Sequence, residues 1–419
     1  MANKRNWRCE QAATLVFCAA VLAAAAAHGQ TYTTVVNNGP SSNRVDMVFV
    51  GDGYQASEID GTYAGHVSAT LNRYFNTGLN PYPRYANFFN AHRVNVISNQ
   101  SGADDPVNGI FVDTALDATY NTGGTDRCLY FNTTKANTAV NTALSGSGID
   151  VDIRLGSVNS SKYGGCGGSW AVWSAQNGSA LDIAVHEVGH SFGNLADEYW
   201  YSGTTWTGGE PGEVNSTSNP ALGKWDRWLG YVDPDSSIGA IGYFEGARYN
   251  EFGLYRPSNN SMMRNLGRPF DAISRERFIQ KIYAEVDPLD SWLSTTGTFL
   301  HDDVLWVDTV DPAVIGVEWF LNGSSLGLLG ESLDLGTLGL SASQSYTVEA
   351  VAYDLILDHS NTGDSLDWFR LANTSSLRHS LTWTVGAGSS VPEPGTGFLT
   401  SVVLVSLLAK RRRREPGQG

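Results

Sequence analysis

The chain has 419 residues, 42% of them hydrophobic and 16% charged, with 46 glycines and a formal net charge of −15. This is globular composition, long enough for a sizeable core and for two domains plus extensions. Basic residues crowd the two ends, so a chain trimmed of both carries about −21, which argues against a nucleic-acid partner.

At the start, Lys4, Arg5 and Arg8 precede an apolar run from Ala12 to Ala27, and Ala27-His28-Gly29 places small residues before a cut. Residues 1–29 therefore read as a signal peptide, the run being shorter than the roughly 20 residues of a membrane span. Cys9 and Cys18 leave with that segment, and Cys128 and Cys166 remain. In an oxidising compartment these two form one disulfide, although two free thiols fit the same count.

From residue 30 to 288 strands and helices alternate, which predicts an α/β-like first domain. Arg44 to Tyr54 (RVDMVFVGDGY) reads as a buried strand stopped by a Gly-Asp-Gly turn, Ser57 to Phe75 as a helix, and His92 to Ser98 as a second strand. Asp52, Asp104 and Asp105 lack the spacing of a calcium loop, so calcium is left unsupported and they read as turn and surface residues. Tyr163 to Ala171 (YGGCGGSWA) is nearly free of side chains, and glycine there lets another backbone approach closely.

The stretch AVHEVGHSFGNLADEYW, residues 184 to 200, carries the clearest chemistry. His186 and His190 share one face of a helix and can hold the same ion, with Glu187 beside them placed to act as a base. Leu181, Ala184, Val185, Val188 and Phe192 supply the apolar stripe that buries the helix. Gly193 suits a left-handed turn that brings the chain back over the ion. The position ten residues after His186 is Ala196, so no third histidine follows; the nearest oxygen donors are Asp197 and Glu198, with Glu210 and Glu213 farther on as an alternative.

The wording HExxHxxGxLADEY closely resembles the IgA-peptidase family of secreted bacterial zinc metallopeptidases, as do FVGDGY, YGGCGGSWA, GYFEGARY and YRPSNNSMMRN, over roughly residues 42 to 285. The resemblance implies a metzincin-like zinc metallopeptidase domain (residues 30–288) with one Zn2+ per chain on His186, His190 and Asp197, Asp197 being preferred over Glu198. It implies Glu187 as the general base of peptide-bond hydrolysis and Met263, rather than Met262, as a packing support beneath the ligands. By analogy with metzincin clefts, Gly164, Gly165, Gly167 and Gly168 form an edge that pairs with an extended substrate, the bland alternative being a surface loop. Tyr199 and Tyr255 are candidates for stabilising the oxyanion.

After residue 288 the pattern changes to short runs of period two: Val317 to Gly323, Ser345 to Asp354 and Leu381 to Val385. These predict a small antiparallel, Ig-like β-sandwich over residues 289–388 with Trp319 and Trp383 in its core, making the whole chain α+β. At the C-terminus, residues 391–414 run Val391-Pro392-Glu393-Pro394, an uncharged segment to Ala409, and five cations. This order resembles the PEP-CTERM sorting signal of Gram-negative bacteria, which implies transient anchoring in the inner membrane, processing by an exosortase and delivery to the cell surface. The expected function is thus a secreted or cell-surface zinc endopeptidase acting on protein or peptide. The alternative is a surface or matrix binding protein dominated by the sandwich, in which Glu187 has no evident use.

Overall fold

The computed structural model describes residues 30–357 and 367–386. The signal and sorting segments, residues 1–29 and 391–414, lie outside the described residues. The strands and helices are β1 (Thr31–Val36), β2 (Val45–Asp52), α1 (Ala64–Phe75), β3 (Phe89–Asn95), α2 (Thr133–Ala143), β4 (Ile153–Val158), β5 (Gly165–Cys166), β6 (Ala171–Ser174), α3 (Ala180–Ser191), β7 (Trp200–Thr205), β8 (Phe244–Ala247), β9 (Tyr249–Arg256) and α4 (Ala272–Ile282). Then come β10 (Leu289–Trp292), β11 (Thr298–Phe299), β12 (Val304–Thr309), β13 (Ile315–Leu321), β14 (Ser324–Leu329), β15 (Ser332–Asp334), β16 (Tyr346–Asp354) and β17 (Arg378–Val385).

A six-stranded sheet of order β1-β3-β2-β4-β6-β5 organises the first part, parallel from β3 to β6 with antiparallel strands at both edges. In β2 the alternation of a strand puts Val45, Met47 and Phe49 into one apolar cluster and Val48 and Val50 into another. Both faces are therefore covered, as a parallel sheet requires. Val67 and Leu71 of α1 and Ile183, Ala184 and Val188 of α3 cover the first face, and Ala136, Ala139 and Val140 of α2 the second.

Two expected segments shift. The helix expected from Ser57 starts with a 3-10 turn and a π turn over Ala56–Glu58 and Ile59–Tyr63, and its α part begins only at Ala64. The strand expected over His92 to Ser98 is β3, displaced three residues toward the N-terminus, because Phe89 to Ala91 pair with β2. Asp52 is no surface residue: it is fully buried and accepts hydrogen bonds from the backbone N–H groups of Leu116 and Ala118 and from Thr114 and Ser98. That makes it the tie holding the loop after β3 against the end of β2, its charge satisfied by four donors.

Downstream, β10-β12-β15 and β11-β17-β16-β13-β14 form two sheets, antiparallel except for the parallel β11–β17 pair. Trp319 and Trp383 are fully buried there with ring centroids 5.7 Å apart. One apolar cluster runs from the first sheet into these strands. Buried Asp354 at the end of β16 accepts hydrogen bonds from Tyr85 Oη (2.7 Å), Tyr283 Oη (2.6 Å) and Arg84 Nη2 (2.8 Å), joining the two parts by charge-assisted contacts. Among the described residues no helix is long and apolar enough to cross a membrane.

Candidate metal centre and cleft

The short link from β6 sends α3 back across the sheet, with Ile183, Ala184, Val185 and Val188 buried. Leu181, expected in the apolar stripe, is instead 36% exposed, and Ile183 takes its place. The four-residue spacing brings the rings of His186 and His190 to 4.8 Å between centroids.

His186 Nε2 lies 3.0 Å from Asp197 Oδ1, His190 Nε2 lies 3.2 Å from His186 Nε2, and His190 Nε2 lies 3.4 Å from Asp197 Oδ1. A tetrahedral ion with bonds of about 2.0–2.1 Å has donor–donor edges of roughly 3.3 Å, so the three atoms are spaced to share one ion. The protons agree with that. Each imidazole donates its Nδ1–H to a carbonyl, His186 to Met262 O (3.1 Å) and His190 to Leu195 O (2.7 Å). Neutral rings then face each other and Asp197 with lone pairs alone, and only a cation between them relieves the repulsion.

Burial opposes the charge on His190, but the hydrogen bond and charge of Asp197 outweigh it and lift the imidazole to about 9. Burial likewise opposes ionisation of Asp197, yet its contacts with the two histidines hold the carboxyl far below the usual carboxylate range.

Asp197 and Glu198, left open by sequence, face opposite ways. Glu198 is fully buried behind the loop, accepting from Asn215 Nδ2 (2.9 Å) and Ser261 Oγ (2.6 Å), and burial, with the Asp271 charge adding, pushes its carboxyl up to about 8. Its N–H donates to Met263 O at 2.9 Å. Met263 lies against α3 opposite Gly189, where an added Cβ would stand 2.4 Å from its Sδ. Glu213 pairs with Arg248 and Glu210 with Lys224, so neither carboxylate joins the histidines. Among the described residues, His186, His190 and Asp197 are the one group of donors gathered closely enough for a metal.

Gly193 does not adopt the expected left-handed turn; Asn194 does, with φ +50°. Glycine at 193 is needed for closeness, because a Cβ there would stand 2.7 Å from Gly189 O and 3.0 Å from Phe278 Cε1. Asparagine is among the residues that tolerate the left-handed region.

Glu187 is 7% exposed, and burial raises its carboxyl against the opposing charges of His186 and His190. It lies beneath the glycine segment: an added Cβ at Gly165 would be 2.4 Å from Ile183 Cγ2 and 3.1 Å from Glu187 Oε1, and one at Gly167 would be 2.8 Å from His190 Cβ. Gly164 and Gly168 are filled in the same way by Tyr120 and Tyr130. The segment is thus packed onto the histidine helix, with β5 as the last strand of its sheet. Cys128 and Cys166 are joined by a disulfide that fastens β5 to the loop before α2.

These walls enclose an open cleft of about 1130 Å³. Tyr199 lines it, while Tyr255 does not and pairs with Thr217 instead. Two cleft residues, Tyr249 and Arg127, receive no role from the sequence, although Tyr249 closes the GYFEGARY segment. Tyr249 donates its hydroxyl to Asp197 Oδ2 at 2.5 Å, and with Arg248 it occupies the left-handed region, at φ +67° and +47°. Such conformations cost about 1–3 kcal/mol each and persist where the surroundings impose them; here Arg248 N–H donates to Asp197 O and Tyr249 N–H to Tyr199 O. Arg127 reaches in from the loop before α2 and donates to the hydroxyls of Tyr199 and Tyr201.

Two imidazoles and a carboxylate at the floor of an open cleft, with a buried carboxylate beside them, form a donor set of the kind that holds a metal ion in metallopeptidases. Residues 33–236, just under half of the chain, match the model of a family described as IgA Peptidase M64. The match supports a peptidase of that metallopeptidase family; it spans His186 to Glu198 and ends before Tyr249 and Met263. No curated protein matches the chain.

Proposed function

We propose that the chain is an exported zinc endopeptidase in which His186, His190 and Asp197 hold one Zn2+ and Glu187 is the general base. The observation that carries this reading is the convergence of three donor atoms within 3.4 Å of one another beside a buried carboxylate, under an open cleft. When bound, the ion supplies Lewis acidity that polarises a carbonyl and makes water more acidic near neutral pH. Glu187 accepts the proton of the attacking water at its carboxylate and passes it to the leaving amide nitrogen. Tyr249 orients Asp197, and the Met262 and Leu195 carbonyls orient the imidazoles. The glycine segment from Cys166 to Gly168 takes the substrate as an extended strand, Gly165 N–H being already committed to Arg127 O.

Export rests on the N-terminal segment and on the Cys128–Cys166 bridge, which suits an oxidising compartment. Residues 391–414 would act as the membrane-anchored sorting signal that an exosortase processes, leaving the enzyme at the surface of a Gram-negative cell. Glu187→Gln should retain metal and lose about a hundred- to ten-thousand-fold in turnover of a casein or peptide library. Parental turnover in that variant would remove Glu187 from the base role.

A further inference from the structure

Three arginines line the cleft of this acidic chain, namely Arg127, Arg248 and Arg264. Two are already engaged. Arg248 is paired with Glu213 at 3.0 Å and lies over the Trp206 ring. Arg264 donates to Asn259 O and lies 4.5 Å from the centre of the Trp200 ring.

Arg127 is different. Its Nη2 donates to Tyr199 Oη (3.0 Å) and Tyr201 Oη (3.2 Å), and its guanidinium lies 5.5 Å from the Tyr199 ring centre. No carboxylate pairs with it among the described residues, and its Nε and Nη1 hydrogens have no partner there. Guanidinium carries five N–H donors in a rigid plane, so with Nη2 fixed by the tyrosines the Nε–H and Nη1–H groups remain available to a carboxylate oxygen. The backbone is fixed as well: Arg127 O accepts Gly165 N–H at 3.2 Å, and the next residue, Cys128, is bonded to Cys166. The arginine is therefore held at a set position beside the glycine edge, in the same cleft that Glu187 lines.

Resting on the peptidase reading, we infer that Arg127 selects substrates by binding a carboxylate side chain, Asp or Glu, within two residues of the scissile bond. The enzyme is then a peptidase for acidic segments. A long unpaired cation pre-oriented by two hydroxyls loses little freedom on binding, and the contact it forms is charge-assisted. The tyrosine wall of Tyr199, Tyr201 and Tyr249 flanks the acidic side chain and leaves the cation's Nε–H and Nη1–H groups free for it.

The test uses matched peptides that differ by Glu, Gln or Lys at each of the two positions on either side of a cleaved bond, with the metal-loaded parent, Arg127→Gln and Arg127→Glu. The parent should favour Glu over Gln by about tenfold or more in kcat/KM at one position, the scale of a hydrogen-bonded charge. That ratio should fall to about one in Arg127→Gln and turn toward Lys in Arg127→Glu. The ratio is insensitive to a general loss of folded enzyme, which scales both peptides alike. Equal rates for Glu and Gln peptides in the parent, or a preference that survives in Arg127→Gln, would overturn the inference while leaving the peptidase reading intact. If the parent cleaves none of the peptides, the peptidase reading falls. Calorimetric binding of the Glu and Gln peptides to parent and Arg127→Gln then decides the role of Arg127 alone: a tenfold affinity difference lost in the variant is expected, and equal affinities for the parent would overturn it.

Discussion

Replacing Gly189 by alanine would place a methyl group 2.4 Å from Met263 Sδ and 3.0 Å from its Cε, where atoms in contact ordinarily stand about 3.5–4.0 Å apart. The sulfur must retreat by more than an ångström into surroundings filled by Phe270 and the α3 backbone. An overlap of that depth belongs at the upper end of the roughly 1–3 kcal/mol cost of overpacking. Alanine also gains about 1 kcal/mol of helix propensity over glycine, so the net expected loss is about 2 kcal/mol. The damage should reach the metal centre. Glu198 N–H holds Met263 O, and His186 Nδ1 holds the carbonyl of the preceding Met262. Urea denaturation of metal-free parent and variant measures the first effect, and titration against a chelator of known affinity measures the second. A Gly189→Ala protein as stable as the parent or more so, with equal metal affinity, would refute the packing of the methionine turn under the histidine helix.

Tyr249→Phe removes the hydroxyl from Asp197 Oδ2 and should weaken metal binding by about ten- to a hundredfold, read by the same chelator competition, while unchanged affinity would mean that Asp197 needs no such support. Asp152 offers a test by pH. Burial, with the charges of Glu285, Asp46 and Asp150 adding, pushes its carboxyl from 3.8 to about 7 against the hydrogen bond from Asp46 N–H. The folded state therefore binds the proton more tightly than the unfolded one, and stability that is complete below about pH 4 is lost as pH rises through 7. A shift of that size corresponds to about 4 kcal/mol at 1.36 kcal/mol per pKa unit, of which about half should survive screening at this partly exposed site. Asp152→Asn keeps an acceptor for Asp46 N–H and should stabilise the protein by about 2 kcal/mol at pH 8 and by little at pH 4; an equal effect at both pH values would contradict the assignment.

What could be read from the sequence was what short-range periodicity encodes. His186 and His190 share a helix face by spacing alone, and Trp319 and Trp383 follow from alternation in their strands. The choice between Asp197 and Glu198 could not be settled that way, because successive residues in a loop point apart and the outcome depends on Asn215 and Ser261, which turn Glu198 inward. Gly193 drew attention for the right reason of backbone shape, but the left-handed residue is its neighbour, and closeness to Gly189 O is what excludes a side chain. The bare run at Gly164 to Gly168 pointed to close backbone approach, and the backbone of Arg127 and Val172 does come close, with Gly165 N–H bonded to Arg127 O, while side chains of α3, Tyr120 and Tyr130 fill the rest of the space. Tyr249 lies 52 residues from the Asp197 it bonds and Arg127 lies 72 from Tyr199, so these contacts form only through tertiary folding; the segment GYFEGARY that ends at Tyr249 does not by itself show its role. The consecutive left-handed residues Arg248 and Tyr249 show the point most clearly, since neither residue type advertises that conformation.

The most direct test of the account is the metal content of purified parent and His186→Ala after zinc saturation and removal of free ion, measured by elemental analysis. The account predicts one zinc per parental chain and a stoichiometric loss in the variant. A parent that retains no metal, or a variant that retains as much as the parent, would contradict it.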